Sequence, residues 1–483
     1  MKQVLLRWLK VAALLVAGAV LGLVGALLWV ATRGAQPQAW HELRPAAEFT
    51  AAEAAAVRDL DGYRRLEQDL FDQTATELAR RVDRFPSLSR FAPDGPTSPA
   101  RFERDWNRTF ELAPEGPLRG EALLLHGLSD SPYSLRAVGR LLAGRGFHVV
   151  GLRLPGHGAL PGGLAAATRE DWRAAVRIGV AATGERAHAE RVPFLIAGYS
   201  NGAALALDYT LAALEEGRGV VPDRLVFLSP AIAVSPAAAF ARLQLWASRL
   251  PGFGKLAWIP VEEEFDPFKF NSFPIAAAAE IHALTSEIGE RLERLDGSPG
   301  ETLPPLLTLQ SVVDATVPPV ASLTRLYSRV RRGDRESELV LFDANRRAGM
   351  AGLLGAQVDE LRALAQPGRP FDFRLTLVTN AETGTAEVAE ETRAAGSLDR
   401  VTTPLGLEWP RGLYSLTHVA IPFPPDDPAY GGGPSSAGFP FPFGALDVKG
   451  ERGVLRIPDG LLTRLRYNPF FAVVEAKIAT FVD

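Results

Sequence analysis

Residues 194–207 read FLIAGYSNGAALAL. Four apolar residues lead into Gly198-Tyr199-Ser200-Asn201-Gly202, and a run of Ala and Leu follows. The apolar run predicts a buried strand and the Ala/Leu run a helix, so the pentapeptide is a strand-to-helix turn. Glycines on both sides of the serine allow a turn too sharp for a Cβ. Such a turn presents Ser200 Oγ at the end of a strand. It also puts the Asn201 amide at a helix amino-terminus, where backbone N–H groups lack intrahelical acceptors. Ser200 is therefore the candidate nucleophile, with Gly198 and Gly202 framing its elbow.

Outward from this stretch, short apolar runs alternate with helical patterns. The runs are 121–127, 147–154, 193–200, 223–230, 305–312, 338–344 and 373–380. Continuous apolar strands separated by helices predict a mostly parallel sheet covered on both faces, with ligands bound beyond the carboxyl ends of the strands. Residues 231–300 interrupt this alternation and read as a cap insertion. Their aromatic residues, Phe240, Trp246, Phe253, Trp258, Phe265, Phe268, Phe270 and Phe273, suit either an apolar wall for a substrate chain or a small core of the cap itself. Residues 34–118 read as a helical lead-in, packed on the main domain or standing as a free stalk. The main domain spans 119–483.

A serine nucleophile needs a base, an acid and two amides for the oxyanion. LLLHGLSDSPYS (123–134) ends a strand at Leu125 and opens a loop toward the same sheet edge, which makes the Leu128 amide a candidate donor beside that of Asn201. The chain has seven histidines. With a nucleophile elbow the base follows both nucleophile and acid in the chain. His41, His126, His148, His157 and His188 precede Ser200, and His282 lies in the cap. His418, in the loop YSLTHVAIPF, is left as the base. Asp314, after the strand PLLTLQSV, is the candidate acid, and Asp343, which also ends a strand, is the alternative.

The stretch LLLHGLSDSPYSLRAVGRLLAGRGFHVVGLRLPGHG (123–158) followed by GYSNG resembles the α/β-hydrolase superfamily, in its carboxylesterase and monoacylglycerol-lipase branch. The resemblance implies an α/β-hydrolase fold with Ser200 as nucleophile, Asp314 as acid, His418 as base, and Leu128 and Asn201 as oxyanion amides. The chain departs from the family in the distance between acid and base, which is usually a few tens of residues. A second insertion at about 344–412 must occupy the gap.

Composition narrows the chemistry. Net charge is −4, which gives no electrostatic footprint for nucleic acid. There is no cysteine, so disulfides, thiolate nucleophiles and Cys-based zinc sites are excluded. No metal motif or nucleotide-binding glycine pattern follows a strand, so neither metal nor cofactor is expected. Only six of the 52 basic residues are lysine, a bias that suits a GC-rich bacterial genome.

Residues 11–32, VAALLVAGAVLGLVGALLWVAT, carry no charge. As a helix they span about 33 Å, enough for a hydrocarbon core of about 30 Å. Lys2, Arg7 and Lys10 precede this run and only Arg33 follows closely. One transmembrane anchor is therefore expected within 1–33, with its tip in the cytoplasm and the catalytic domain outside the bacterial inner membrane. A cleaved signal peptide and a secreted enzyme are the alternative. The whole predicts a membrane-anchored serine hydrolase acting on small-molecule or lipid acyl esters. An acyltransferase or thioesterase with the same triad, and a tethered binding protein without activity, are the rivals.

Overall fold

The computed structural model describes residues 2–32, 35–234, 241–295, 302–346, 360–361, 363–365, 368, 370–433, 443–445 and 465–483. Ten strands join into one sheet among them: β1 (Phe110–Leu112), β2 (Gly120–Leu125), β3 (Phe147–Leu152), β4 (Phe194–Tyr199), β5 (Arg224–Leu228), β6 (Leu306–Ser311), β7 (Glu338–Phe342), β8 (Arg374–Asn380), β9 (Glu387–Arg393) and β10 (Val401–Glu408). Their order is β1-β3-β2-β4-β5-β6-β7-β8-β9-β10. Every neighbouring pair from β3 to β8 is parallel, and β1, β9 and β10 pair antiparallel at the edges. The longer helices are α1 (Lys2–Thr32), α2 (Leu60–Arg81), α3 (Arg136–Gly144), α4 (Arg169–Glu190), α5 (Asn201–Glu216), α6 (Ala241–Ser248), α7 (Ile275–Arg294) and α8 (Phe471–Val482).

The all-apolar strands are explained by two covered faces. Along β2, Leu123 and Leu125 point into one core with α4, α5 and α7, while Ala122 and Leu124 point into the other with α3 and α8. The period of two therefore distributes apolar residues to both faces, and none of these side chains meets water.

Two features redraw the expected insertions. Within 231–300, α7 buries Ile281, Leu284, Ile288 and Leu292 against the main core, so it is a layer of the sandwich. The excursion proper lies before it. Its aromatics divide: Phe268 and Phe270 join the two main cores, Trp258 is buried, and Trp246 is exposed. Phe240 lies outside the described residues. Within 344–412, of which 347–359 also lie outside, the chain adds β8, β9 and β10 to the sheet edge. Four strands, β7 to β10, thus lie in the gap between Asp314 and His418.

The lead-in is packed on the domain. Tyr63 of α2 donates to Arg153 O at 2.7 Å. The buried Arg153 guanidinium pairs with Glu67 and Glu48, each at 2.9 Å. Further along, the Arg90 N–H donates to Glu264 O at 2.8 Å, and Asn107 Nδ2 donates to Pro267 O at 3.0 Å, so the lead-in fastens residues 264–267 of the excursion.

His41 adds to this clasp, and its burial has a testable consequence. Its Nδ1 accepts the Gln38 N–H at 2.8 Å, and its Nε2 shares a hydrogen with Ser272 Oγ at 2.8 Å. Burial lowers its pKa to about 4 from an ordinary 6.5. The folded state then binds fewer protons than the unfolded one between those values. The His41 contribution is complete above pH 6.5 and is lost as pH falls toward 4. In urea unfolding over that range, His41→Gln is expected to show a shallower acid loss than the parent. The difference approaches one proton, or about 1.4 kcal/mol per pH unit. Equal slopes would contradict the assignment.

Helix α1 runs the length of the expected anchor, and Leu14 and Leu21 on it are exposed. Among the described residues no helix is long and apolar enough to cross a membrane.

Candidate active site

Strand β4 delivers Tyr199 to the sheet's carboxyl edge, and the next residue, Ser200, caps α5 at φ 52° and ψ −113°. A positive φ on a residue with a Cβ is strained, and here the surroundings fix it. The Ser200 N–H donates to Leu228 O at 3.0 Å, and the Ser200 carbonyl accepts from Ala203, Ala204 and Ala231. The flanking glycines are required by close backbone approach. A Cβ on Gly202 would lie 1.8 Å from Leu125 O, and one on Gly198 would lie 2.4 Å from the Ala203 Cα. Gly202→Ala is accordingly expected to cost at least about 3 kcal/mol, because neither partner is a flexible side-chain end. Thermal unfolding reads the loss; an unshifted midpoint would contradict the packing.

Asp314 lies in the turn after β6. Its Oδ1 accepts the N–H groups of Thr316 and Val317, both at 3.0 Å. Its Oδ2 meets His418 Nδ1 at 2.8 Å, and His418 Nε2 lies 3.1 Å from Ser200 Oγ. All three side chains are buried, with Ser200 8% exposed. The structure thus brings together residues 114 and 104 positions apart in one hydrogen-bonded line. Because Asp314 accepts the hydrogen bond from Nδ1–H, Nε2 is left as the acceptor for the serine hydroxyl.

The alternative acid is engaged elsewhere. Asp343 follows β7, and its Oδ2 accepts from Thr379 Oγ1 at 2.9 Å and from Arg346 Nη2.

Two residues that belong to no motif brace the histidine loop. Asn345 donates its backbone N–H to Tyr414 O at 2.7 Å and its side-chain Nδ2 to Leu413 O at 2.9 Å. Ser311 Oγ donates to Leu416 O at 2.9 Å. The strand ends β6 and β7 therefore fix the segment that carries His418. The Tyr199 ring also lies against the imidazole, with 5.3 Å between centroids.

Leu128 sits in the loop after β2, and Asn201 is the first residue of α5. His126 holds the start of that loop. Its Nε2 accepts the Leu154 N–H at 3.0 Å, so its Nδ1–H donates to Gly127 O at 2.9 Å. Burial lowers its pKa well below the ordinary value and keeps the ring neutral. On the other side of Leu128, the Phe270 N–H donates to Ser129 O at 2.8 Å, tying the loop to the excursion. The Asn201 side chain is fully buried, and its amide atoms have no hydrogen-bond partner among the described residues.

Residues 116–341 match the family model described as serine aminopeptidase, S33. No curated protein matches the chain. Among solved structures, it is similar to a metagenome-derived lipolytic enzyme at 22% identity over 54% of this chain and 98% of that one, with a TM-score of 0.38. It is also similar to a monoacylglycerol lipase of Paleococcus ferrophilus at 20% identity, covering 49% of this chain and 88% of that one, with a TM-score of 0.36. A soluble variant of monoglyceride lipase from Saccharomyces cerevisiae, bound to a substrate analogue, is 15% identical over 49% of this chain and 82% of that one, with a TM-score of 0.38. The family match over 116–341, set beside the parallel sheet and nucleophile elbow described above, supports an ester-hydrolysing serine hydrolase with the α/β-hydrolase fold.

Proposed function

We propose that the protein is a membrane-tethered esterase that cleaves carboxylic esters through an acyl-enzyme on Ser200. His418 Nε2 takes the Ser200 hydroxyl proton as Oγ attacks the ester carbonyl. Asp314 keeps the imidazole oriented and stabilises the imidazolium. The amide N–H groups of Leu128 and Asn201 donate to the developing oxyanion. His418 then protonates the departing alcohol. In the second half-reaction it removes a proton from water, which attacks the acyl carbonyl and restores the serine. The observation that carries this reading is the continuous line from Asp314 Oδ2 through His418 to Ser200 Oγ.

The uncharged run 11–32 supports an anchor at the inner membrane with residues 34–483 on the extracytoplasmic side.

A fluorophosphonate probe tests the chemistry, because it traps only an activated serine. The parent should be labelled, and Ser200→Ala should not. A labelled Ser200→Ala protein would reject the assignment. Added protease should reach residues 34–483 in spheroplasts; protection would reject the topology.

A further inference from the structure

Beside the Ser200–His418 pair lies a cavity of about 120 Å³. Tyr199 and Val419, the chain neighbours of Ser200 and His418, form part of its wall, and Phe423 adds another apolar surface. Its polar lining is Asp130, Lys269, Tyr430 and Arg466. These residues come from the loop after β2, the excursion before α7 and the late loops.

Each cation on this lining is paired with a carboxylate. Lys269 Nζ donates to Asp130 Oδ1 at 2.9 Å. Arg466 Nη1 donates to Asp266 Oδ2 at 2.8 Å. Asp266, however, is fully buried behind the wall, and its other oxygen accepts from the backbone of Phe268 and Lys269 and from the Tyr430 hydroxyl. Two cations and one carboxylate therefore face the space.

Among the described residues the cations retain donors. An ammonium has three N–H groups and a guanidinium five. Among the described residues, each of the two side chains gives one of these to its carboxylate partner. The Arg466 guanidinium lies over the Tyr430 and Phe443 rings at 5.6 and 5.9 Å, which orients it. The Lys269 side chain is 31% exposed, so it reaches both the cavity and solvent. Charge-assisted hydrogen bonds in such a half-enclosed site are stronger than in water.

We propose that this cavity is an anion subsite, and that the preferred substrate is an ester carrying a carboxylate or phosphate next to the scissile acyl group. The proposal rests on the esterase reading and specifies its substrate class. Tyr199 and Val419 connect the subsite to the reacting residues, so the anion belongs to the same molecule as the ester bond. Lys269 and Arg466 donate to its oxygens, and Phe423 lies along the connecting carbons.

Matched ester pairs test it at low ionic strength. For an anion on the acyl side, p-nitrophenyl monosuccinate is compared with p-nitrophenyl butyrate. For one on the alcohol side, butyrylglycerol phosphate is compared with butyrylglycerol. In at least one pair the anionic ester should have a kcat/KM about tenfold or more above its neutral partner, and added salt should erode the preference. Lys269→Gln should lower that ratio about tenfold, Arg466→Gln similarly, and Lys269→Arg should retain it. A purely structural ion pair would affect both members of a pair alike, so an unchanged ratio in Lys269→Gln overturns the proposal. So does a parent that prefers the neutral ester in both pairs. Fluorophosphonate labelling of the same samples separates the two readings. A labelled parent without anionic preference rejects the subsite and keeps the esterase. An unlabelled parent rejects both.

Discussion

Replacing Ser200 by alanine is expected to reduce kcat on p-nitrophenyl butyrate by about 10⁵- to 10⁶-fold, and His418→Ala by a similar factor. The reason is chemical. A serine hydroxyl is a weak nucleophile until a base within hydrogen-bond reach removes its proton, and His418 Nε2 at 3.1 Å occupies that position. Removing either partner abolishes the same step. The double variant should therefore lose little more than either single one, which is the mark of residues acting as a unit. The residual rate should still exceed that of buffer by about 10³-fold, because binding and the oxyanion amides remain. Burst titration of active sites in the parent, followed by steady-state rates in each variant, checks all three statements. A His418→Ala protein within tenfold of the parent would remove His418 from the mechanism.

Much of this site was legible because its physics is local. The strand, the sharp turn and the helix around Ser200 are written in consecutive residues, and the glycines announce close packing that the structure supplies at Leu125 and Ala203. The apolar runs marked β2 to β8 because a strand covered on both faces has no polar alternation to conceal it. Chain order then selected His418 among seven histidines.

What escaped the sequence depends on distant partners. Strand β10 has exposed side chains along most of its length, a proline at 404 and an irregular register after it, so no apolar pattern signals it. The same edge position explains why the stretch between acid and base read as an insertion. Glu48, Glu67 and Arg153 look like ordinary surface charges, and only the fold reveals that they are buried against one another. Asn345 and Ser311 carry no motif; they matter because strands β6 and β7 end beside the histidine loop. Helix α7 was assigned to a cap because nothing in an amphipathic pattern says which surface it covers.

The choice of acid yields the second large effect. Asp314→Asn is expected to lower kcat by about 10⁴-fold, while Asp343→Asn lowers it by less than about tenfold. Both carboxylates end neighbouring strands and both are buried, so position alone does not decide between them. Their partners do. Asp314 has one oxygen fixed by two backbone N–H groups, which leaves the other aimed at His418 Nδ1 at 2.8 Å. An asparagine there keeps the size and many of the contacts. Its amide nitrogen, if turned toward the ring, donates where an acceptor is needed and stabilises the wrong imidazole tautomer. If the oxygen faces the ring instead, the negative charge that stabilises the imidazolium is gone. Either way the serine remains present but poorly activated, so phosphonylation slows while the fold persists. At Asp343 the carboxylate accepts from Arg346 and Thr379. Its neutralisation weakens an ion pair at the sheet edge and shows first in thermal unfolding, with rates per titrated active site largely kept. The reverse ranking of the two rates would put the acid at the end of β7 and break the line of hydrogen bonds on which the esterase reading stands.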